Sequence, residues 1–208
     1  MFPRVYPITD VELAGVFHDE QVSLLADGGA TFIQLREKHM SSLAFYNEAK
    51  SALATAHERG VRLIINDRVD IAIAIRADGV HLGQDDLPPE AARKLLGDNA
   101  IIGYSTHSVS QAIAAATLPV DYIAIGPIFE TGTKANPDPV VGLDGLHQVR
   151  KVIGATHLVA IGGITQENAK AVINAGADSV ALINALLSGG AAAISDRYRA
   201  LNHILSSR

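Results

Sequence analysis

Apolar and polar positions follow two alternating patterns along this chain. Short runs of four or five apolar residues, rich in Val, Ile and Leu, are followed by longer stretches in which apolar residues recur every three or four positions. The first pattern is typical of buried β-strands, and the second is typical of amphipathic helices. The order of strand then helix repeats eight times, which predicts βα units and a parallel sheet.

The predicted elements alternate along the whole chain, with no linker between any two of them. The strands are predicted at Val5–Thr9, Thr31–Leu35, Arg62–Ile65, Gly79–Leu82, Ile101–Gly103, Tyr122–Ile125, Leu158–Ile161 and Ser179–Leu182. The helices are predicted near Glu20–Asp27, Ser42–Glu58, Val69–Ile75, Pro89–Leu95, Ser110–Ala116, Leu143–Val152, Gln166–Asn174 and Ala191–Leu205. Eight pairs within 208 residues predict an α/β fold, a single (βα)8 TIM barrel that occupies residues 1–208 as one domain.

Composition and charge narrow the function mainly by exclusion. Hydrophobic residues are 48% and charged residues 19%, as in an ordinary globular protein. The formal net charge of -5 favours neither nucleic acid nor an anionic membrane as partner. The absence of cysteine excludes disulfides, thiolate metal sites and a cysteine nucleophile. No apolar stretch is long enough for a bilayer and no signal-peptide pattern opens the chain, so we expect a cytoplasmic protein; whether identical copies assemble stays open.

Cations follow the second predicted strand. In a parallel barrel the carboxyl ends of all strands converge on one rim, where the chemistry takes place. Arg36 and Lys38 lie directly after a strand, so they would reach this rim. Arg binds phosphate with two parallel hydrogen bonds and Lys offers a compact charge. The alternative is an ion pair of Arg36 or Lys38 with Glu37.

Two aspartates follow the next two strands. Asp67 comes after the third strand and Asp86 after the fourth, so their carboxylates can face each other across the rim. Mg²⁺ prefers a pair of carboxylates together with water and phosphate oxygens. The alternative is that each aspartate caps the helix that follows it. Taken together with the neighbouring cations, the pair favours a magnesium site.

Hydroxyl groups and glycines supply further anion-binding groups. Ser105 and His107 end the fifth strand, but no G-x-S-x-G elbow surrounds Ser105, so a donor to a leaving phosphate is favoured over a hydrolase nucleophile. The long irregular run Phe129–Gly142 is expected to be a mobile loop over the site. Gly162 and Gly163 follow the seventh strand, where barrels often bind phosphate. The loop carries three anion-binding side chains: Thr131, Thr133 and Lys134.

Two anion sites on one rim, one of them with a metal, indicate two phosphorylated small-molecule ligands. The phrases that carry these groups also resemble those of one enzyme family, over nearly the whole chain. They are QLREK (Gln34–Lys38), INDRVD (Ile65–Asp70), RADGVHLGQDD (Arg76–Asp86), IIGYS (Ile101–Ser105), GPIFETGTK (Gly126–Lys134), GLDGL (Gly142–Leu146) and AIGGI (Ala160–Ile164). In these phrases the chain resembles the thiamine phosphate synthases, which join hydroxymethylpyrimidine diphosphate to a thiazole phosphate and release pyrophosphate.

The resemblance implies a role for each matching residue. The expected contacts to the pyrimidine diphosphate are Gln34, Arg36, Lys38 and Asn66, and the expected Mg²⁺ ligands are Asp67 and Asp86. Ser105 and Lys134 would bind the leaving pyrophosphate, and with Lys38 they would be the catalytic groups. The thiazole phosphate would be bound by Thr131, Thr133, Gly163 and the pair Ile183–Asn184, where the family usually has Ser in place of the Asn.

Two alternatives remain on the same barrel. The thiazole tautomerases resemble this chain around GYSTHS, where their His is an acid–base group, but they tend to lose the residues that match Lys38, Asp67 and Asp86. This chain keeps all three, which favours coupling over tautomerisation. The other alternative is a non-catalytic barrel that binds phosphorylated ligands.

Overall fold

Eight parallel strands form a barrel in the computed structural model, which describes residues 2–131 and 138–206. The strands are β1 (Val5–Pro7), β2 (Phe32–Leu35), β3 (Arg62–Asn66), β4 (Gly79–Leu82), β5 (Ile101–Thr106), β6 (Tyr122–Ile125), β7 (His157–Ile161) and β8 (Ser179–Leu182). Hydrogen-bonded neighbours run β1-β8-β7-β6-β5-β4-β3-β2. A parallel bridge between Ile8 and Gln34 joins β1 to β2. The predicted (βα)8 barrel is confirmed.

Helices surround the barrel on its outer face. They are α1 (Val11–Ala14), α2 (His18–Asp27), α3 (Ser42–Glu58), α4 (Val69–Ile75), α5 (Pro89–Leu96), α6 (Val109–Ala115), α7 (Gly142–Val152), α8 (Ala169–Asn174), α9 (Asn184–Leu187) and α10 (Ile194–Ser206), with a 3-10 turn at Ala191–Ala193. The sequence did not predict α1 and α9, because a single turn is too short to show a helical period. None of the helices in the described ranges is both long and apolar enough to cross a bilayer.

The main differences from the predicted boundaries lie at strand ends and helix starts. Strand β5 continues to Thr106 rather than stopping at Gly103, and β3 includes Asn66. Strand β1 stops at Pro7, and α8 begins at Ala169, three residues later than predicted. Polar residues at a strand end look like a loop in the sequence, yet their backbone still pairs with the neighbouring strand. Ser105 therefore lies within β5, opposite Ala124 of β6.

The apolar core has two parts because successive strand residues point to opposite faces of the sheet. The larger part lies between the barrel and the helices and contains the outward-facing strand residues. The smaller part fills the barrel interior with Tyr6, Ile8, Phe32, Ile64, Tyr122, Ala124, Val159 and Ala181. Full burial of a large apolar side chain contributes about 1.5–3 kcal/mol, so both parts stabilise the fold.

Tyr122 lies in the barrel interior opposite a glycine. Its side chain is 0% exposed, and its Cα partner on β5 is Gly103. A Cβ at Gly103 would overlap the Tyr122 ring. An eight-stranded barrel is just wide enough for side chains to fill. The large ring on β6 is thus accommodated by the missing side chain on β5.

Gly103→Ala is expected to lower the free energy of unfolding by about 1–3 kcal/mol, because the added methyl overpacks the interior against the Tyr122 ring. Urea denaturation measures this loss. Gly145→Ala is the control, because Gly145 lies within α7, where alanine is the better helix former. Its methyl would approach only the Val141 side chain, at 2.6 Å, a contact that rotation of that valine can relieve. Equal stability of the Gly103→Ala variant and the unmodified protein would show that the interior is not packed in this way.

Candidate active site

Lys38, Asp67 and Asp86 meet at the carboxyl-terminal rim of the barrel. The Lys38 ammonium forms an ion pair with the Asp67 carboxylate. Asp67 directly follows β3 and adopts a left-handed backbone with φ 62°. Such a conformation is uncommon outside glycine and is often found at functional sites. The Asp86 carboxylate accepts a hydrogen bond from the Gly83 N–H at 2.7 Å, which holds it at the end of β4.

The two carboxylates influence each other electrostatically. Burial raises the pKa of Asp86, and the nearby Asp67 carboxylate adds to this rise, against the Gly83 N–H and the Lys38 charge. Two carboxylates this close repel one another when both are ionised, so the pair favours a cation between them. Within the described residues no group of three or more His, Asp or Glu is arranged to hold a metal. A pair of carboxylates is nevertheless a donor set that Mg²⁺ accepts, because this ion can take its remaining ligands from water and phosphate.

Neither Asp67 nor Asp86 caps the helix that follows it. Helix α4 has Arg68 at its N-cap and α5 has Pro88, and neither helix start has a side-chain cap hydrogen bond. The Asp67 and Asp86 carboxylates instead make the contacts described above. Both carboxylates are thus held at the rim by contacts other than helix capping.

The cations after β2 pair with residues other than Glu37. Arg36 Nη1 lies 3.2 Å from Asp10 Oδ2, while Lys38 pairs with Asp67, so the alternative of a local pair with Glu37 is wrong. Glu37 Oε1 instead accepts backbone hydrogen bonds from His39 at 2.5 Å and Met40 at 3.0 Å. A cavity of about 250 Å³ lies beside these cations. It is lined by Asp10, Val11, Glu12, Arg36, Glu37, Lys38, His39 and Met40.

A buried histidine of α2 stabilises the segment that follows β2. His18 of α2 is fully buried, and its Nδ1 lies 2.9 Å from Thr9 Oγ1. Its Nε2 lies 3.5 Å from Glu37 Oε2. The Arg36 N–H donates to the same Thr9 hydroxyl at 3.3 Å. Burial lowers the pKa of His18, so a neutral ring links α2 to the backbone that carries Arg36 and Lys38.

A chain of buried hydrogen bonds leads from Gln34 to Ser105 through the barrel interior. Gln34 Nε2 lies 3.0 Å from the Tyr6 hydroxyl, which is 2.8 Å from the Tyr122 hydroxyl. The Tyr122 hydroxyl is 3.0 Å from His81 Nδ1, and His81 Nε2 is 2.8 Å from Ser105 Oγ. Burial lowers the pKa of His81 to about 4 and raises the pKa of both tyrosines. All the rings of the chain are therefore neutral at pH 7.

Glycines line the opposite side of the rim. Gly162 and Gly163 lie directly after β7 and have φ values of 99° and 65°. Residues other than glycine rarely adopt such a backbone. Asn168 Nδ2 donates to the Gly163 carbonyl at 3.0 Å and fixes this turn. The pair Ile183–Asn184 follows β8, and α9 begins at Asn184. Thr131 is described, whereas Thr133 and Lys134 lie in 132–137, outside the described residues.

The serine near the end of β5 pairs with a histidine of another strand, and the Ser105–His107 pair that the sequence analysis disfavoured is absent. His107 does not bond to Ser105; its Nδ1 lies 2.7 Å from the Gly126 carbonyl and 3.5 Å from Asp138 Oδ2. Ser105 pairs instead with His81, which the sequence analysis did not select. The available signal was a histidine on an inward-facing position of β4, two residues after Gly79. A hydrolase-like Ser105–His107 pair is therefore not formed.

His81 makes a measurable contribution to the pH dependence of stability. Its folded pKa of about 4 lies below the ordinary 6.5, so unfolding takes up a proton as the pH falls, and stability is lost. The loss through this group is about 3 kcal/mol at pH 4 relative to pH 7. Urea denaturation of the unmodified protein and of His81→Gln at both pH values measures it. The variant should lose less stability on acidification, and equal losses would contradict a buried neutral His81.

Comparison with known proteins identifies the family to which these residues correspond. The family model described as "Thiamine monophosphate synthase" matches residues 5–186. A thiamine-phosphate synthase of Clostridium novyi is 46% identical over 185 residues, 88% of this chain and 90% of the relative. A thiamine-phosphate synthase of Koribacter versatilis is 48% identical over 192 residues, 89% of each chain.

A solved structure agrees with the sequence comparison. The thiamine phosphate pyrophosphorylase from Pyrococcus furiosus superimposes with a TM-score of 0.86 at 35% identity. The match covers 97% of this chain and 95% of that structure. The similarity thus extends over nearly the whole chain.

Proposed function

Because the chain belongs to the thiamine monophosphate synthase family, we propose that its rim couples hydroxymethylpyrimidine diphosphate to a thiazole phosphate, which gives thiamine phosphate and pyrophosphate. The observation that carries the proposal is the cluster of Lys38, Asp67 and Asp86 at the ends of β2, β3 and β4. A bound diphosphate needs positive charge, and a metal ion that supplies this charge needs carboxylate ligands. The cluster provides one ammonium and two carboxylates on the same rim as the Ser105 hydroxyl.

The Mg²⁺ ion is part of the proposal. Asp67 and Asp86 would hold it, because their carboxylates lie close enough together for the pKa of Asp86 to respond to Asp67. When bound, the metal supplies charge neutralisation to the diphosphate oxygens. Lys38 would be shared between Asp67 and the substrate, and Arg36 would add a second positive charge from the neighbouring cavity.

The protein's own groups would act mainly on charge that develops as the diphosphate leaves. The bond to the pyrimidine methylene carbon breaks with its electron pair on the pyrophosphate oxygen, and the aminopyrimidine shares the positive charge. The thiazole nitrogen then forms the new bond with its own lone pair. Lys38, Ser105 and Lys134 would stabilise the departing charge, and preorganised electrostatic stabilisation is commonly the largest catalytic contribution. No general base is required.

The second substrate would occupy the far side of the rim. Gly163 follows β7 with a left-handed backbone, and the Ile183–Asn184 pair lies after β8. Phosphate often binds at these two strand ends in barrels of this kind. Thr131 and Thr133 would add hydroxyl donors from the loop after β6, and Gln34 and Asn66 would contact the pyrimidine at the inner edge of the rim.

The position of His107 bears on the tautomerase alternative. His107 is half-buried on the rim, and its Nδ1 is held by the Gly126 carbonyl, an arrangement that suits an acid–base group. The same contact also fits a histidine that joins β5 to the end of β6. The retained Lys38, Asp67 and Asp86 favour coupling, since tautomerisation releases no pyrophosphate.

Asp67→Asn and Asp86→Asn are each expected to lower the coupling rate at limiting Mg²⁺ by roughly 100-fold, because each removes a charged ligand while preserving size. Pyrophosphate release measured against Mg²⁺ concentration tests this. Asp85→Asn is the matched control, because Asp85 is exposed on the same turn as Asp86. Wild-type rates in both test variants at limiting Mg²⁺ would contradict the metal site.

Ser105→Ala and His107→Ala separate the two enzyme alternatives. In a coupling enzyme, loss of the Ser105 donor should lower turnover by at most about 10²–10³-fold. His107→Ala should cost less, because no proton is moved in the coupling step. A tautomerase would show the reverse order, since its proton carrier contributes roughly 10²–10⁴-fold. Turnover of both variants with the two substrates measures the order, and abolished coupling in His107→Ala alone would reverse these roles.

A further inference from the structure

We propose that Tyr122 and His81 are positioning residues that direct the Ser105 hydroxyl proton toward the rim. They would act through the buried hydrogen-bond chain that begins at Gln34 and ends at Ser105. The inference rests on the proposed function, in which Ser105 donates to the departing pyrophosphate. It adds two residues that would touch no substrate and whose effect would pass entirely through Ser105.

The direction of the chain is set at its Gln34 end. The Gln34 amide nitrogen can only donate, so the Tyr6 oxygen accepts at 3.0 Å. The buried Tyr6 proton needs an acceptor, and of the two described groups that contact its hydroxyl only the Tyr122 oxygen, 2.8 Å away, can accept, because the Gln34 amide nitrogen cannot. The Tyr122 hydroxyl accepts on this side and directs its proton onward. Each hydroxyl thus accepts from one neighbour and donates to the next.

The same direction continues through His81 to Ser105. The Tyr122 proton points at His81 Nδ1 at 3.0 Å, so that nitrogen accepts. A neutral imidazole that accepts at Nδ1 carries its proton at Nε2. Nε2 therefore donates to Ser105 Oγ at 2.8 Å. Because Ser105 accepts from His81, its hydroxyl proton is left for a partner at the rim.

The opposite direction would reverse the chemistry at Ser105. If His81 Nε2 were the acceptor, the Ser105 proton would point into the barrel. Its lone pairs would then face the pyrophosphate oxygens and repel their charge. The tautomer of His81 thus decides whether Ser105 stabilises or opposes the leaving group.

Burial keeps the chain in one direction. Tyr122, Tyr6, Gln34 and His81 are 0%, 2%, 3% and 8% exposed, so bulk water has little access to exchange their partners. The His81 and Tyr122 rings are stacked, with centroids 5.5 Å apart and planes at 18°. The ring of Tyr122 is itself held over Gly103. Neither ring can swing away to another partner without disrupting the interior packing.

The first experiment compares Tyr122→Phe with the unmodified protein in the pyrophosphate-release assay with both substrates. The variant keeps the ring but removes the donor to His81 Nδ1. We expect kcat to fall by about tenfold, the usual cost of one hydrogen bond, while KM for the diphosphate changes by less than about twofold. Tyr198→Phe is the matched control, because Tyr198 is equally buried but its hydroxyl lies 3.4 Å from the Val5 carbonyl, outside the chain.

A double-mutant cycle tests whether the effect passes through Ser105. In the Ser105→Ala background, Tyr122→Phe should lower kcat by less than about twofold, because the group it positions is already gone. An equal loss in both backgrounds would overturn the proposal, as would a Tyr198→Phe variant that loses as much turnover as Tyr122→Phe. If Tyr122→Phe fails to fold, Tyr6→Phe removes the preceding donor and takes its place in the cycle.

A measurement without substrate separates this inference from the proposed function. Nitrogen-15 chemical shifts of the His81 ring in the ligand-free protein should show Nδ1 unprotonated and Nε2 protonated. The opposite tautomer would overturn the inference whatever the enzyme does. If the unmodified protein releases no pyrophosphate, the proposed function fails, and the ring shifts still decide the direction of the chain.

Discussion

The packing of Tyr122 into the barrel interior is the constraint on which the rest of the site depends. Eight short strands enclose a space that side chains must fill, and the Tyr122 ring fits into it because Gly103 opposite has no side chain. A phenol at this place brings a polar group into an apolar interior. Leaving such a group without a partner costs about 1–3 kcal/mol, so it needs hydrogen bonds within the barrel. Tyr6 and His81 supply them.

That requirement connects the interior to the rim. His81 satisfies Tyr122 with one nitrogen and reaches Ser105 with the other, so the hydroxyl on the rim is held by the residue that completes the core. Burial lowers the pKa of His81 and keeps the ring neutral, which allows one nitrogen to accept and the other to donate. On the other side of the barrel, His18 and Thr9 hold the backbone at Arg36 in a similar way. Rigid buried polar contacts thus lie beneath both the cationic loop and the serine.

The charged groups at the rim attract and repel one another at short range. The Lys38 ammonium pairs with the Asp67 carboxylate, and partial burial together with the Asp67 charge raises the pKa of Asp86. Within the described residues this cluster holds two carboxylates and the Lys38 ammonium, in a protein whose formal net charge is -5. A diphosphate could not bind such carboxylates directly, which is the physical reason for a divalent cation in the proposed function.

The sequence alone determined the barrel and most of the rim. Short apolar runs, helical repeats of apolar residues and polar groups after each strand are local properties. A closed parallel barrel brings those polar groups together, so Lys38, Asp67 and Asp86 were found from their order along the chain. Only the tertiary structure decided their partners. Arg36 pairs with Asp10 and not with Glu37, and Ser105 pairs with His81 and not with His107. These choices depend on which side chains face inward and on how far each strand continues, and the contacts that settle them join residues distant in the sequence. The interior chain through Tyr6 and Tyr122 spans 116 positions and has no local signature, because it exists only when the barrel is closed.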